Sequence, residues 1–393
     1  MLYIIILLYV VFLILNYDVN RRTKNRSFHI YLLLFILVFI SGFGDDMGCD
    51  CRNAIMQFDS ITPDLNIRNY IGPEVFIGSQ EPLWRYLMSL VKYIFGDFMY
   101  FKLVIAVFVN TTFFWFLRKH STSFFTAVFV YLIFGFFNLN FEVLREAIAV
   151  SFFLIGLDKI ASEKKNYFYY YLWSIPALFF HHFAFIIWLL PIVGLLKVNK
   201  WYAITAVVLF VASPLISQLI FNLPLLEAGQ ASNLQYYYDT LKYGAKEESS
   251  LLFLIKITLS AIGPTLIILL NSKNQNRICV GCALAYVLVL LLTQSSLGII
   301  YRLKNYLLIP TCIIIADSLI RSLFKGNFSA VPLKIIKNKM FYTLVIVYYL
   351  TISITGLVNS PLWPLYYPYT SVFYPEYIPE RESIYSELNV MPD

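Results

Sequence analysis

Apolar runs of about 15–21 residues recur along the whole chain, separated by short polar stretches rich in Lys and Arg. A bilayer core about 30 Å thick needs roughly 20 helical residues per crossing. Open sheets cannot satisfy their backbone in lipid, so runs of this length read as helices. The pattern predicts spans near 2–16, 28–43, 98–117, 122–139, 142–160, 166–181, 182–196, 201–221, 251–271, 278–293, 302–321 and 340–358. The expected fold is therefore an all-α polytopic integral membrane protein of about 12 transmembrane helices, a single transmembrane domain over 1–393. The first run, Leu2–Leu15, lacks the basic leader and small-residue cleavage site of a signal peptide and reads as a retained span.

The polar stretches orient these spans. Arg21, Arg22, Lys24 and Arg26 place the first loop in the cytoplasm. Alternation then puts Arg118, Lys119, Lys159, Lys164, Lys165, Lys197, Lys200, Lys273, Arg277 and the basic stretch from Arg321 to Lys339 inside as well. Residues 166–196 read either as one long helix or as two short ones. Two crossings keep Lys197, Lys200, Lys273, Arg277 and the 321–339 cations inside; one crossing would keep only Lys242, Lys246, Arg302, Lys304 and Arg381 there. The two-crossing reading satisfies the charge rule better, and it leaves three segments facing outward: about 44–97, 222–250 and 359–393. The first contains an amphipathic stretch, EPLWRYLMSLVKYIFGDF, suited to the interface.

Composition agrees with a membrane protein: 59% of residues are hydrophobic and 13% charged. The net charge of +7 follows from the basic inner loops and implies no nucleic-acid partner. The 30 Tyr and 35 Phe suit interfacial belts, with sugar stacking as a second use. Five Cys form no disulfide framework, and Cys49-x-Cys51 lacks the further ligands a zinc site needs.

Against this background the misplaced ionisable residues carry the information. Lys102, Arg145, Lys256, Arg302 and Lys304 fall near the outward ends of spans, against the positive-inside bias. Arg145 sits one turn inside an apolar helix, and His181-His182 join two more. Charged or titratable groups at membrane depth are costly and are functional candidates. Fixed cations at the outer leaflet suit an anion, and Arg offers a planar fork for phosphate oxygens. Snorkelling, or pairing of Arg145 with Glu142, is the structural alternative. His181 or His182 suits a general base or hydrogen-bond donor near neutral pH. Asp45, Asp46 and Asp50 cluster where the second span exits, suited to a hydroxyl proton or a divalent cation, or simply to a solvated loop. Glu81 and Arg85 fall on one helix face at i, i+4, where a surface pair is the plain reading. No phosphate-binding Gly loop, nucleophile elbow, HExxH or Walker motif is present, which argues against an ATP-driven pump or a hydrolase built on those motifs.

In chain order, Gly48-Cys49-Asp50, Glu81-Pro82-Leu83, Arg145-Glu-Ala-Ile-Ala149, Ala177-Leu-Phe-Phe-His181 and Tyr301-Arg302-Leu303 resemble the EpsG-type polysaccharide polymerases, related in role to the Wzy O-antigen and capsule polymerases. Members commonly carry an Arg just before the Gly-x-Asp, where this chain reads Gly44-Asp45-Asp46-Met47. The resemblance implies a GT-C-like helical fold whose extracytoplasmic loops form the active site on the bacterial inner membrane. The implied activity joins undecaprenyl-pyrophosphate-linked oligosaccharide units, without a cofactor or metal, beside a flippase and a chain-length regulator. Candidate catalytic residues are then His181, Asp50 and Asp46, with Arg145, Arg302, Arg85, Glu81, His182 and Lys256 binding substrate. Two competing readings are a single-sugar transferase using a polyprenyl-phosphate donor, with Asp45-Asp46 as its catalytic pair, and a flippase for the same lipid. Transporters carry internal repeats and midplane charges; no repeat is visible here, and the charges lie at span ends.

Overall fold

The computed structural model describes residues 2–70, 81–162, 164–197, 201–202, 204–206, 208–209, 212, 276–292, 298–321 and 339–387. Twelve α-helices occur among them. In order they are α1 (Leu2–Leu13), α2 (Arg26–Phe43), α3 (Cys49–Ser60), α4 (Pro82–Phe95), α5 (Phe98–His120), α6 (Phe124–Phe134), α7 (Leu144–Ala161), α8 (Tyr167–Phe180), α9 (Arg277–Leu292), α10 (Gly298–Ile320), α11 (Lys339–Val358) and α12 (Pro379–Glu387). A 3-10 helix follows α8 at His182–Leu195. No strand forms among the described residues, only isolated bridges at Gly44, Ser371 and Tyr374.

Among the described residues, four stretches are long and apolar enough to cross a bilayer: Leu2–Val19, Arg26–Phe43, Phe98–His120 and Arg302–Ile320. Shorter apolar helices accompany them at Phe124–Phe134, His182–Leu195, Arg277–Leu292 and Tyr348–Val358. The expected spans at 201–221 and 251–271 fall mostly or wholly outside the described residues, as does the segment 222–250.

The chain divides into two compact units. In the first, α5 packs between α2 and α7, α7 packs on α8, and α4 touches both α5 and α8. Large apolar side chains of α1, α2 and α8 remain exposed, among them Ile4, Leu8, Phe28, Phe35, Phe168 and Leu172. Such faces suit a lipid solvent. Inside, polar groups join the helices: Asn110 of α5 donates to Asn140 Oδ1 at 2.8 Å and to Ser41 Oγ of α2 at 3.2 Å. Hydrogen bonds of this kind link helices where burial alone supplies little drive. In the second unit, α6 and α9 pack on α10. Asp317 near the end of α10 caps α6, accepting from the Thr122 and Ser123 N–H groups at 3.2 and 2.9 Å. Gly281 of α9 lies so close to the Val193 carbonyl that a Cβ there would overlap it.

The ambiguous stretch 166–196 resolves as two segments. His181 is extended (φ −154°, ψ 117°) and ends α8. The Tyr170 hydroxyl then donates to the Ile187 carbonyl. A continuous helix would hold those two residues roughly 25 Å apart, so the chain reverses at His181. Pro176 lies within α8 and Pro191 within the 3-10 helix, each removing one backbone N–H from its run.

Two opposite ends of the first unit carry its charges. At one end Asp158 of α7 is met by Lys119 Nζ at 2.6 Å and His120 Nε2 at 2.9 Å, at the end of α5. At the other end Lys102, in the first turns of α5, donates to the Gly44 carbonyl just after α2, at 2.6 Å. Acidic side chains gather at this second end, where Asp46, Asp50, Glu81 and Glu142 lie.

Candidate active site

Five elements deliver side chains to the acidic end. Glu81 is the N-cap of α4, held extended (φ −69°, ψ 136°) with Pro82 as the first helical residue, where a missing N–H costs nothing. Arg145 is the second residue of α7. The expectation of a position one turn inside the helix is corrected here. Asn138–Glu142 form a separate π turn and Val143 (φ −131°) breaks the chain before α7 starts. A cation is disfavoured at a helix N-terminus, where the dipole is positive, so neighbouring carboxylates must offset it.

They do. Arg145 Nη1 lies 2.8 Å from Glu81 Oε2, and its Nη2 lies 4.0 Å from Asp50 Oδ1 in the first turn of α3. The other Glu81 oxygen, Oε1, lies 3.3 Å from Nδ1 of both His181 and His182. One buried carboxylate, 5% exposed, therefore serves a guanidinium and two imidazoles. Burial would raise the Glu81 carboxyl, but the hydrogen bonds from His181 and His182 and the charge of Arg145 outweigh it and hold it well below the usual range. The two histidines differ sharply. The His181 side chain is 8% exposed and its Nε2 lies 3.8 Å from Glu146 Oε2, whereas the His182 side chain is 51% exposed.

Glu142, weighed in the sequence as the helical neighbour of Arg145, accepts instead from the Cys49 N–H at 3.1 Å and the Tyr366 hydroxyl at 2.7 Å. Those bonds draw the start of α3 and the C-terminal segment against the π turn that precedes α7. Gly48, the residue before α3, has φ +88°, and a Cβ there would overlap the Phe141 carbonyl. Only glycine fits this close approach, which sets Asp50 beside Arg145.

The remaining candidates fall elsewhere. Asp46 adopts φ +44° and its carboxylate lies 3.3 Å from Arg52, which reaches Glu382 at 2.6 Å. Burial pushes the Asp46 carboxyl up, partly offset by Arg52. Arg85 stands over the Tyr70 ring at 5.8 Å rather than on Glu81, although their backbones share the first turn of α4. Arg302 lies half-buried on α10 in the second unit. Lys256 lies outside the described residues.

Several participants escaped the sequence reading. Arg381, 2% exposed, donates to the carbonyls of Pro364, Asp45, Asp46 and Pro368 and to Thr370 Oγ1. Tyr385 adds a bond to the Asp46 carbonyl at 2.9 Å. Together they fasten residues 364–385 over the 44–50 loop. Glu146 was legible as an acidic neighbour of Arg145, but nothing local marked Arg381, because its acceptors are backbone groups distant in sequence.

Helices with lipid-facing exteriors and an ionisable cluster gathered at one end define an integral membrane protein with a polar site. The particular affiliation follows from the sequence as a whole: the chain belongs to the EpsG family, whose model matches residues 27–371. That family places it among membrane proteins of polysaccharide biosynthesis. No curated protein and no solved structure matches the chain.

Proposed function

We propose that the protein is a membrane glycosyltransferase that polymerises undecaprenyl-pyrophosphate-linked oligosaccharide repeat units. It works on the outer face of the bacterial cytoplasmic membrane, within a GT-C-like bundle of about 12 spans. The observation that carries this reading is the Glu81 carboxylate holding Arg145 on one oxygen and His181 and His182 on the other. Transfer of a sugar from a lipid pyrophosphate needs a cation where the phosphate leaves and a base where the acceptor hydroxyl attacks. Both kinds of group meet at this carboxylate. Asp50, Glu81, Glu142 and Glu146 outnumber Arg145 nearby, so a bound pyrophosphate calls for more positive charge than this cluster holds. The basic residues at the opposite end support an outward-facing site through the positive-inside rule. Nucleotide sugars are not required there, and the donor is already activated, so no cofactor is invoked. A flippase would deliver the units and a chain-length regulator would set the product.

The single-sugar transferase reading rests on Asp45-Asp46 and loses support because Asp46 is committed to Arg52. Deletion followed by glycan sizing separates the polymerase from a flippase: loss of the polymerase leaves single repeat units on their acceptor, whereas loss of a flippase leaves none. Arg145→Ala should reproduce the single-unit pattern with the protein still inserted. Normal long chains from that variant would refute the role given to Arg145.

A further inference from the structure

The two adjacent histidines are chemically unequal, and the inequality points to a division of labour within the proposed transfer. His181 is enclosed, with Glu81 at Nδ1 and Glu146 near Nε2. His182 shares the same Glu81 oxygen through Nδ1, but half of its side chain is open, and no described side chain takes up its Nε2. A carboxylate at Nδ1 keeps the proton on that nitrogen and leaves Nε2 as the lone-pair nitrogen. We propose that His182 Nε2 is the base for the acceptor hydroxyl, that His181 is a positioning residue, and that Glu81 couples the base to donor binding through Arg145.

The coupling follows from the carboxylate's two oxygens. In the unliganded site Oε2 is engaged by the Arg145 guanidinium. A donor pyrophosphate competes for that guanidinium. As Arg145 turns toward phosphate, more of the Glu81 charge falls on the imidazole at Oε1, and His182 becomes the stronger base. Donor binding thereby readies the acceptor side. In the transfer step the acceptor O–H proton moves to His182 Nε2 while the acceptor oxygen bonds to C1 of the donor sugar. The C1–O bond to phosphate breaks, and its electron pair leaves with the lipid pyrophosphate. His182 then returns its proton to solvent. The charged groups that act on the His182 imidazole are Glu81 from α4 and Arg145 from α7, with its neighbour His181 on the same Glu81 oxygen; Glu146 lies against His181 and Asp50 against Arg145.

This proposal rests on the polymerase reading. Its test uses full-length protein in lipid nanodiscs with a synthetic polyprenyl-pyrophosphate oligosaccharide, and rates are followed from pH 5 to 9. His182→Ala should lower kcat by about 10²–10⁴-fold and abolish the acid limb of the rate profile, with donor KM little changed. Glu81→Gln should move that limb to lower pH, because an imidazole without its carboxylate is the weaker base. His181→Asn should lower the rate without moving the limb. Should Glu81→Gln fail to insert, His182→Ala, altered at a half-exposed position, decides alone. An unchanged profile in His182→Ala, or a limb lost in His181→Asn instead, overturns the assignment. Wild-type protein that joins no units overturns the polymerase reading itself.

Discussion

Arg381→Ala is the perturbation whose magnitude the structure allows to be worked through. The guanidinium donates to the Pro364 carbonyl at 3.2 Å, to Asp46 at 3.0 Å, to Pro368 at 2.9 Å and to Thr370 Oγ1 at 2.8 Å. On truncation the Asp45 carbonyl keeps the Thr370 hydroxyl and the Asp46 carbonyl keeps the Tyr385 hydroxyl. The Pro364 and Pro368 carbonyls lose the guanidinium. Pro364 is half-buried and Pro368 exposed, so water recovers part of what the guanidinium supplied, and at about 1 kcal/mol for each lost hydrogen bond the pair costs about 2 kcal/mol. At 1.4 kcal/mol per tenfold, the population in which residues 364–385 lift from the 44–50 loop rises by about one and a half decades. This is a local opening, not global unfolding, since the spans keep their own contacts. Hydrogen exchange in detergent or nanodiscs reads it directly. The Asp45 N–H donates to the Thr370 carbonyl and the Val372 N–H to the Phe43 carbonyl, both at 3.0 Å. Both amides should exchange roughly thirtyfold faster in the variant, following the same conversion. Arg381→Lys, with a charge but no planar fork, should fall between. Exchange at both amides within threefold of wild type would show that the guanidinium does not fasten the segment.

Gly48→Ala forces a side chain onto a backbone angle and a contact that only glycine tolerates, and should cost about 3 kcal/mol; glycan sizing should show shortened chains, and full-length chains would contradict the packing described for Asp50. Glu81 is held below its ordinary carboxylate range, so its contribution to stability is present above the unfolded value of about 4.3 and is lost as pH falls through the folded value. Thermal melts of wild type and Glu81→Gln should therefore differ most near neutral pH and converge below about pH 4; a gap that widens on acidification would oppose the ion pairs assigned to this carboxylate. Asp158→Ala removes the partner of Lys119 and His120 at the opposite end of the bundle; because Lys119 is half-exposed, it should destabilise by about 1 kcal/mol in melts while leaving the glycan size distribution of residual protein unchanged.

Apolar run length and the placement of Lys and Arg made the helical, membrane-spanning character legible from the chain alone, because both are local properties that a bilayer reads residue by residue. The same reading located Glu81, Arg145, His181 and His182 as residues to explain, and the break at His181 was one of its two alternatives. It misjudged where Arg145 lies on its helix, since nothing in Phe141–Leu144 signals a helix break, while the backbone breaks at Val143.

Which groups meet was decided by tertiary packing. Glu142 is three residues from Arg145 and Glu81 is sixty-four away, yet the guanidinium is placed on Glu81, while Glu142 holds the Cys49 N–H and Tyr366. Sequence spacing ranks neighbours along one helix, whereas a carboxylate's partner depends on where separate helices end against one another. The same holds for Arg381, whose acceptors are carbonyls that every residue possesses and no sequence pattern distinguishes. The chain by itself determined that charge would stand where a membrane resists it; the fold determined which opposite charges and dipoles make it tolerable.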